Sequence, residues 1–188
     1  VTFAEYDRYA ELTGSRQPAD VNWGRERHPV INVSWEEAVA YAKWLSRATG
    51  KRYRLPTESE WEYAARSAGK HDIWAGTSDY DQVYDYAASI WNGTDLVGSK
   101  KPNGLGLHDM SGNVWEWVVD CWHKDYGDAP IDGSAWLEIN AGDCGMRIMR
   151  GGSWNEQREH LRTSARSRGG AKQSYPNVGF RLAQDIEP

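Results

Sequence analysis

The chain has 188 residues with 11 Trp and 10 Tyr but only 2 Phe, and this length and aromatic content predict a folded domain and exclude a disordered chain. Its formal net charge of −5 argues against nucleic acid or an anionic membrane surface as a partner, because both attract basic patches. No apolar run approaches the ~20 residues of a membrane-spanning helix and no signal peptide is recognisable, so we expect a soluble protein whose compartment the sequence leaves open.

Three helix starts carry the same capping box, in which a Ser or Thr hydroxyl accepts from the third helical amide and a Glu reaches back to the cap. The capping pairs are Thr2 with Glu5, Ser34 with Glu37, and Thr57 with Glu60. Glycines at 14, 50 and 69 supply the expected stops. The sequence therefore predicts helices over about 2–12, 34–49 and 57–68.

After Gly69 the helical periodicity fades, and short apolar stretches alternate with Gly, Asn, Asp and Pro. Residues 114–117, 146–149 and 179–183 predict short strands, the last with Phe180 and Leu182 buried on one face. The long loops between them require a bound ion, a disulfide or a web of indole hydrogen bonds to stay ordered. We find no repeat or linker, and we expect a single domain over 1–188.

The two cysteines, Cys121 and Cys144, are too few for a disulfide scaffold and lack the spacing of a zinc site. They lie on either side of a long irregular segment. A disulfide between them would close that segment into a loop and stabilise it by roughly 3 kcal/mol. Two unlinked buried thiols and a redox or metal-binding pair are the alternatives, and the redox state of the compartment decides between them.

Five sequence blocks appear in order along the chain. They are HPVINVSWEEAVAYAKWL at 28–45, RLPTESEWEYAARSAG at 54–69, GLGLHDMSGNVWEWVVD at 104–120, RGGSW at 150–154 and NVGFRLA at 177–183. This series resembles the formylglycine-generating-enzyme (sulfatase-modifying factor) family, whose known members include bacterial proteins. The resemblance implies an α+β, C-type-lectin-like fold with two to three helices packed on a small distorted antiparallel sheet and much irregular loop. In the family a further strand usually precedes the residues that match Val1 and Thr2, and we expect that strand to be missing.

The resemblance also implies one structural calcium ion at the motif beginning with Asp109. In the family, the matching positions supply side-chain oxygens, here from Asp109 and Glu116, and backbone carbonyls, here from Gly112 and Val114. Calcium prefers six to eight oxygen ligands of these kinds in a bent loop. The alternative is a tight turn in which the two acids only accept from backbone amides.

The family's chemistry oxidises a substrate cysteine with oxygen at a copper ion held by two cysteines. The positions that match those cysteines hold Glu156 and Leu161, and neither side chain is a soft ligand for Cu(I). Ser153 matches the family's active-site serine, but without the two cysteines there is no group on which it could act. We therefore expect no copper and no classical formylglycine formation, and we assign no catalytic residue.

In the family the surface near the GGSW motif forms the substrate groove, and the matching residues here mix arginines and aromatic rings, which dominate binding hot spots. We predict that this surface binds a protein or peptide ligand through Trp154, Asn155, Glu156, Arg158, His160, Arg162, Arg166, Arg168 and Tyr175. Related domains are variable products of diversity-generating retroelements, with the segment matching about 154–181 diversified.

Three other interpretations stay open at this point. The chain resembles pyoverdine-maturation relatives that also lack the cysteines, which suggests an oxidoreductase-type enzyme with altered metal or cofactor chemistry. It is alternatively a structural or accessory domain of a larger protein. In the third interpretation, the arginines near the GGSW motif lie on a solvated face, bind no ligand and only pair with the excess acidic residues.

Overall fold

The computed structural model describes residues 1–89, 92–138 and 142–186. The helices are α1 (Phe3–Thr13), α2 (Trp35–Thr49), α3 (Glu58–Ala65) and the single turn α4 (Val83–Tyr86), and two 3₁₀ turns lie at Tyr80–Gln82 and Arg158–Leu161. The strands are β1 (Arg52–Arg54), β2 (Trp115–Trp122), β3 (Asp143–Arg150), β4 (Arg166–Gly170), β5 (Val178–Phe180) and β6 (Ala183–Asp185).

All three predicted capping boxes form, with the hydroxyl and the Glu each hydrogen-bonded to the opposite backbone amide. Helices α1 and α2 end at Gly14 and Gly50, both in the left-handed conformation that glycine tolerates. Helix α3 is shorter than predicted, because Ser67 and Ala68 adopt positive φ angles of 53° and 67° and cannot continue a right-handed helix.

Four strands form a small sheet in the order β4-β3-β2-β5, and β1 pairs with β6 in a separate two-stranded ladder. The pairs β2–β3 and β3–β4 are antiparallel, while β5 runs parallel to β2. The predicted strand over 179–183 is wrong in its extent. Strand β5 ends at Phe180 and β6 begins at Ala183, so Leu182 lies between two sheets and is only half-buried.

Indole rings hydrogen-bond backbone carbonyls that are far away in sequence, both between regular elements and between these elements and irregular backbone. Trp35 Nε1 donates to the carbonyl of Val118, and Trp117 Nε1 donates to that of Val33. Trp74 Nε1 likewise reaches the carbonyl of Arg158, 84 residues away. Each bond joins an apolar ring in the core to a backbone acceptor, which explains why a chain rich in Trp can keep long loops ordered.

Strands β2 and β3 are also joined covalently. Cys121 and Cys144 form a disulfide whose Cα atoms are 4.4 Å apart. Cys121 is fully buried, whereas Cys144 is partly exposed near the start of β3. The loop between the two strands is thereby tied at both ends. Among the described helices, none has both the length and the apolar content needed to cross a membrane.

Candidate functional site

A surface groove of about 440 Å³ lies between the 3₁₀ turn at Arg158–Leu161 and the start of β4. We call it the β4 groove. Its lining residues are Trp115, Glu156, Glu159, His160, Arg162, Ser164, Ala165, Arg166 and Ser167. The groove therefore combines a largely buried indole with carboxylates, guanidinium groups, an imidazole and hydroxyls.

Glu156 stands at the edge of the groove with its carboxylate engaged. One oxygen lies 2.9 Å from Nδ1 of the exposed His160, and the other accepts from Nε1 of Trp115 at 3.4 Å. Leu161, where the resemblance also predicts a lost copper ligand, is fully buried and packs with Trp74, Val83 and Ala87. The two positions therefore have different environments, one polar and partly exposed, the other apolar and sealed.

Ser153 is also sealed. Its side chain is fully buried, its Oγ donates to Oδ1 of Asn155 at 2.7 Å, and the same oxygen accepts from Nδ2 of Asn177 at 3.3 Å. No histidine or carboxylate appears among its hydrogen-bond partners in the described ranges. The Ser153 hydroxyl therefore links loops and is not placed as a nucleophile.

One wall of the groove is fixed by a buried charge network. Arg166 donates from Nε and Nη2 to the two oxygens of Glu58 at 2.6 and 2.9 Å. Glu58 also pairs with the fully buried Arg150 at 3.3 Å, and Arg150 makes a further ion pair with Glu62. Because its charge is already compensated, Arg166 contributes mainly shape and hydrogen-bonding geometry to the groove.

Two other charges of the groove are uncommitted. Arg162 and Glu159 are exposed, and over residues 1–89, 92–138 and 142–186 neither has an ion pair or a side-chain hydrogen bond. The groove therefore offers one accessible cation and one accessible anion beside the exposed imidazole of His160. This arrangement suits a ligand that carries both polar backbone and charged groups.

The structure brings four of the nine predicted ligand-binding residues, Glu156, His160, Arg162 and Arg166, into the lining of the groove. The other five make contacts within the protein. Trp154 packs edge-to-face on Trp23, Asn155 bonds Ser153, Arg158 stacks on Tyr80 and Tyr84, Arg168 stacks on Trp122, and Tyr175 packs beside Trp117.

Five lining residues were not predicted, namely Trp115, Glu159, Ser164, Ala165 and Ser167. Four of them are close in sequence to Arg162 and Arg166, but only Ser167 belongs to β4, whereas Glu159 lies in the 3₁₀ turn and Ser164 and Ala165 lie between the two elements. Trp115 is 41 residues earlier than Glu156 and joins the groove only because β2 lies inside the sheet. Nothing in its local sequence signals that position.

Three of the four predicted calcium ligands, Asp109, Val114 and Glu116, line a second cavity of about 370 Å³ together with Arg181 and others, whereas Gly112 is not among its lining residues. Oδ1 of Asp109 is buried without a hydrogen-bond partner in the described part of the chain, while its Oδ2 accepts from Gly98 N. Burial raises the pKa of the Asp109 carboxyl above its usual value. A buried carboxylate oxygen without a donor is the type of group that a cation would satisfy.

Glu116 is less suited than Asp109 to bind calcium, because its carboxylate already accepts hydrogen bonds. Its Oε2 accepts from Trp61 Nε1 and Arg181 Nε, both at 2.6 Å, and its Oε1 accepts from Arg181 Nη2 at 2.7 Å. Only Oε1 therefore keeps an unused lone pair. The described residues contain no cluster of three or more His, Cys, Asp or Glu side chains, so a metal here depends on two carboxylates and on backbone carbonyls.

The capped helices, the small curled sheet and the sealed GGSW motif together define a domain of the formylglycine-generating-enzyme type. Residues 1–186 match the family model described as "Sulfatase-modifying factor enzyme 1-like domain". The chain belongs to this family.

Among curated proteins, the chain is similar to the formylglycine-generating enzyme of Streptomyces coelicolor, with 36% identity over 185 residues that cover 87% of this chain and 55% of the relative. It also resembles the serine/threonine-protein kinase Pkn1 of Chlamydia trachomatis, with 31% identity covering 100% of this chain and 32% of the kinase. The chain thus spans about half the length of the formylglycine-generating enzymes, and such domains also occur as parts of larger proteins.

Two solved structures are similar. PvdO from Pseudomonas aeruginosa superimposes with a TM-score of 0.90 at 35% identity, covering 99% of this chain and 78% of PvdO. Treponema denticola variable protein 1 gives a TM-score of 0.71 at 28% identity, covering 89% of this chain and 74% of that protein. Both support the α+β, C-type-lectin-like architecture.

Proposed function

We propose that this domain is a non-catalytic recognition module that binds a peptide or protein segment in the β4 groove. The observation that carries the proposal is the state of the two positions that match the family's copper ligands. Glu156 is hydrogen-bonded at the rim of an open groove, and Leu161 is sealed in an apolar cluster. The resemblance places the family's substrate groove at this surface. A binding surface would therefore remain here, although the two thiolates that the family's chemistry requires are replaced.

The position of β4 supports an extended peptide as the ligand. Strand β4 lies at one edge of the four-stranded sheet, and its first residues, Arg166 and Ser167, line the groove. An edge strand presents backbone groups to which a partner strand can hydrogen-bond. Side-chain selectivity would come from the uncommitted charges of Arg162 and Glu159 beside the Trp115 indole.

The segment over about 154–181 carries most of the groove, and the resemblance to variable proteins implies that this segment is diversified. Treponema denticola variable protein 1 supports that part of the proposal through its fold and its printed name. Diversification would be supported by copies of this domain, sequenced from one source, that differ mainly at groove positions and share the same capped helices. Differences spread evenly over the chain would contradict it.

A selection from a displayed random-peptide library, followed by calorimetry of the selected peptides, tests the recognition function. We expect Arg162→Ala to weaken binding about tenfold or more, because it removes the accessible cation. Arg47→Ala removes an exposed arginine of α2, outside the groove lining, and should leave the affinity unchanged. Equal loss in both variants would indicate non-specific charge attraction and would contradict the groove.

The same protein, purified without chelator, should be measured for metal content and for oxygen consumption with thiol-containing peptides. Stoichiometric copper or iron together with oxygen uptake would overturn the non-catalytic function and support an enzyme with altered chemistry. A selection that yields no peptide, with no metal and no oxygen uptake, would instead favour an accessory domain of a larger protein.

We further propose a single structural calcium ion in the cavity near Asp109. Oδ1 of Asp109, Oε1 of Glu116 and the carbonyls of Gly112 and Val114 would hold it, as hard oxygen ligands that suit this cation. The buried, unpartnered Oδ1 of Asp109 supports the proposal. The ion would stabilise the bend before β2 and would take no part in binding the peptide.

A further inference from the structure

A guanidinium group lies directly against the disulfide. Nη1 of Arg147 donates to Sγ of Cys121 at 3.1 Å and to the carbonyl of Val119 at 2.8 Å. The planar group stacks on the indole of Trp35, with 3.9 Å between the guanidinium carbon and the ring centroid. Arg147 is thus held in place from two sides, with one N–H aimed at a sulfur atom.

Arg147 forms no direct ion pair in the described ranges, although the charges of Glu138 and Asp120 act on it without contact, and its Nε is buried without a hydrogen bond. Burial lowers the pKa of its guanidinium from the usual range. A partly buried cation that lacks a direct ion pair is stabilised when an anion forms beside it. A thiolate on Cys121 would be such an anion, because sulfur is already the acceptor that Nη1 contacts.

The two sulfurs differ in access. Cys121 is fully buried on β2, whereas Cys144 is partly exposed near the start of β3. Strand β4 pairs with β3 only from Met146 onward, so none of the described strands covers Cys144 from that side. In thiol–disulfide exchange the incoming thiolate attacks one sulfur of the disulfide, and the other sulfur leaves as a thiolate. The exchange is faster when the negative charge of the leaving thiolate is stabilised.

We propose that Cys121–Cys144 is a thiol-exchange site for low-molecular-weight thiols, in which Cys144 is attacked and Cys121 leaves as a thiolate held by Arg147. A thiolate from the small thiol forms a bond to Cys144 Sγ, and the electron pair of the Cys121–Cys144 bond moves onto Cys121 Sγ. A second small thiolate then attacks the mixed disulfide at the sulfur that came from the first small thiol. This step releases the two small thiols as their disulfide and leaves Cys144 as a thiolate. Two electrons pass from two small thiols to the protein disulfide.

The first experiment uses the unmodified protein and identifies the sulfur that is attacked. The native protein is incubated with millimolar reduced glutathione, quenched in acid, and mapped by mass spectrometry. A glutathione adduct on Cys144 is expected. An adduct mainly on Cys121, or no exchange while the protein stays folded, would overturn the proposal.

The second experiment tests Arg147. The exchange rate of Arg147→Met should fall roughly tenfold, because the leaving thiolate loses a charge-assisted hydrogen bond, and Arg147→Lys should fall less. Arg25→Met is the control, since Arg25 also stacks on a ring, that of Phe3, but lies in the loop after α1, pairs with Asp7 and does not contact the disulfide. Circular dichroism confirms folding of each variant. An Arg147→Met rate within twofold of the unmodified protein would overturn the role of Arg147.

Discussion

Arg181 donates to both carboxylate oxygens of Glu116 in a bidentate ion pair, with N–O distances of 2.6 and 2.7 Å. Arg181 lies between β5 and β6, and Glu116 lies on β2, so the pair fastens the end of the chain to the central sheet. Trp61 of α3 donates to the same carboxylate. One buried acid therefore joins a helix, a strand and a loop that are far apart in sequence.

Glu116→Gln should lower the free energy of unfolding by about 3 kcal/mol, because it leaves the Arg181 cation without its counter-ion in a buried site. Urea denaturation in the presence of a chelator measures this loss without any contribution from calcium. The double variant Glu116→Gln with Arg181→Met should recover part of it, since no unpaired charge remains. Strictly additive losses would show that the two side chains are not coupled.

Calcium should raise the free energy of unfolding by about 2–3 kcal/mol at a hundredfold excess over its dissociation constant. Asp109→Asn should abolish this increase, because a neutral amide replaces the buried carboxylate that would bind the ion. Magnesium at the same concentration is the control cation, since its smaller octahedral shell suits the site poorly. An equal response to both cations in both proteins would contradict a specific site.

Tyr41 makes stability depend on alkaline pH. Burial among Tyr6, Tyr9 and Trp44 raises the pKa of Tyr41 from 10.0 to about 12. Between these values the folded state keeps a proton that the unfolded state loses, so stability falls as pH rises through this window. The loss attributable to Tyr41 is about 2–3 kcal/mol.

Tyr41→Phe should leave stability at neutral pH nearly unchanged, since Tyr41 is neutral there and its ring is retained. The same variant should flatten the decline of stability at alkaline pH, as followed by urea midpoints across the window. Burial also raises the pKa of the neighbouring Tyr6, so some alkaline sensitivity should persist. An unchanged slope in Tyr41→Phe would show that its hydroxyl is not the titrating group.

Replacing both cysteines by Ala should lower the free energy of unfolding by about 3 kcal/mol, because the unfolded chain regains the entropy of a loop that closes over 23 residues. Thermal unfolding under oxidising conditions compares the variant with the unmodified protein. Adding a strong reductant to the unmodified protein should reproduce most of the loss. A variant as stable as the oxidised protein would mean that the loop is equally constrained without the bond.

Much of this architecture follows from local sequence. Each capping box is read within four residues, and the left-handed stops at Gly14 and Gly50 need no information from elsewhere. The sequence blocks also indicate the family, which the match over residues 1–186 confirms. Short-range backbone hydrogen bonding is sufficient for the helix ends, and the ordered motifs are sufficient for the family.

The tertiary structure decided the rest, because those features depend on residues that meet across the sheet. The positive φ angles of Ser67 and Ala68 end α3 early, although their local pattern is helical. Only the fold places Trp115 against Glu156, commits Arg166 to Glu58, and aims Arg147 at the Cys121 sulfur. A charged side chain is available to a ligand, or bound within the protein, according to neighbours that lie dozens of residues away.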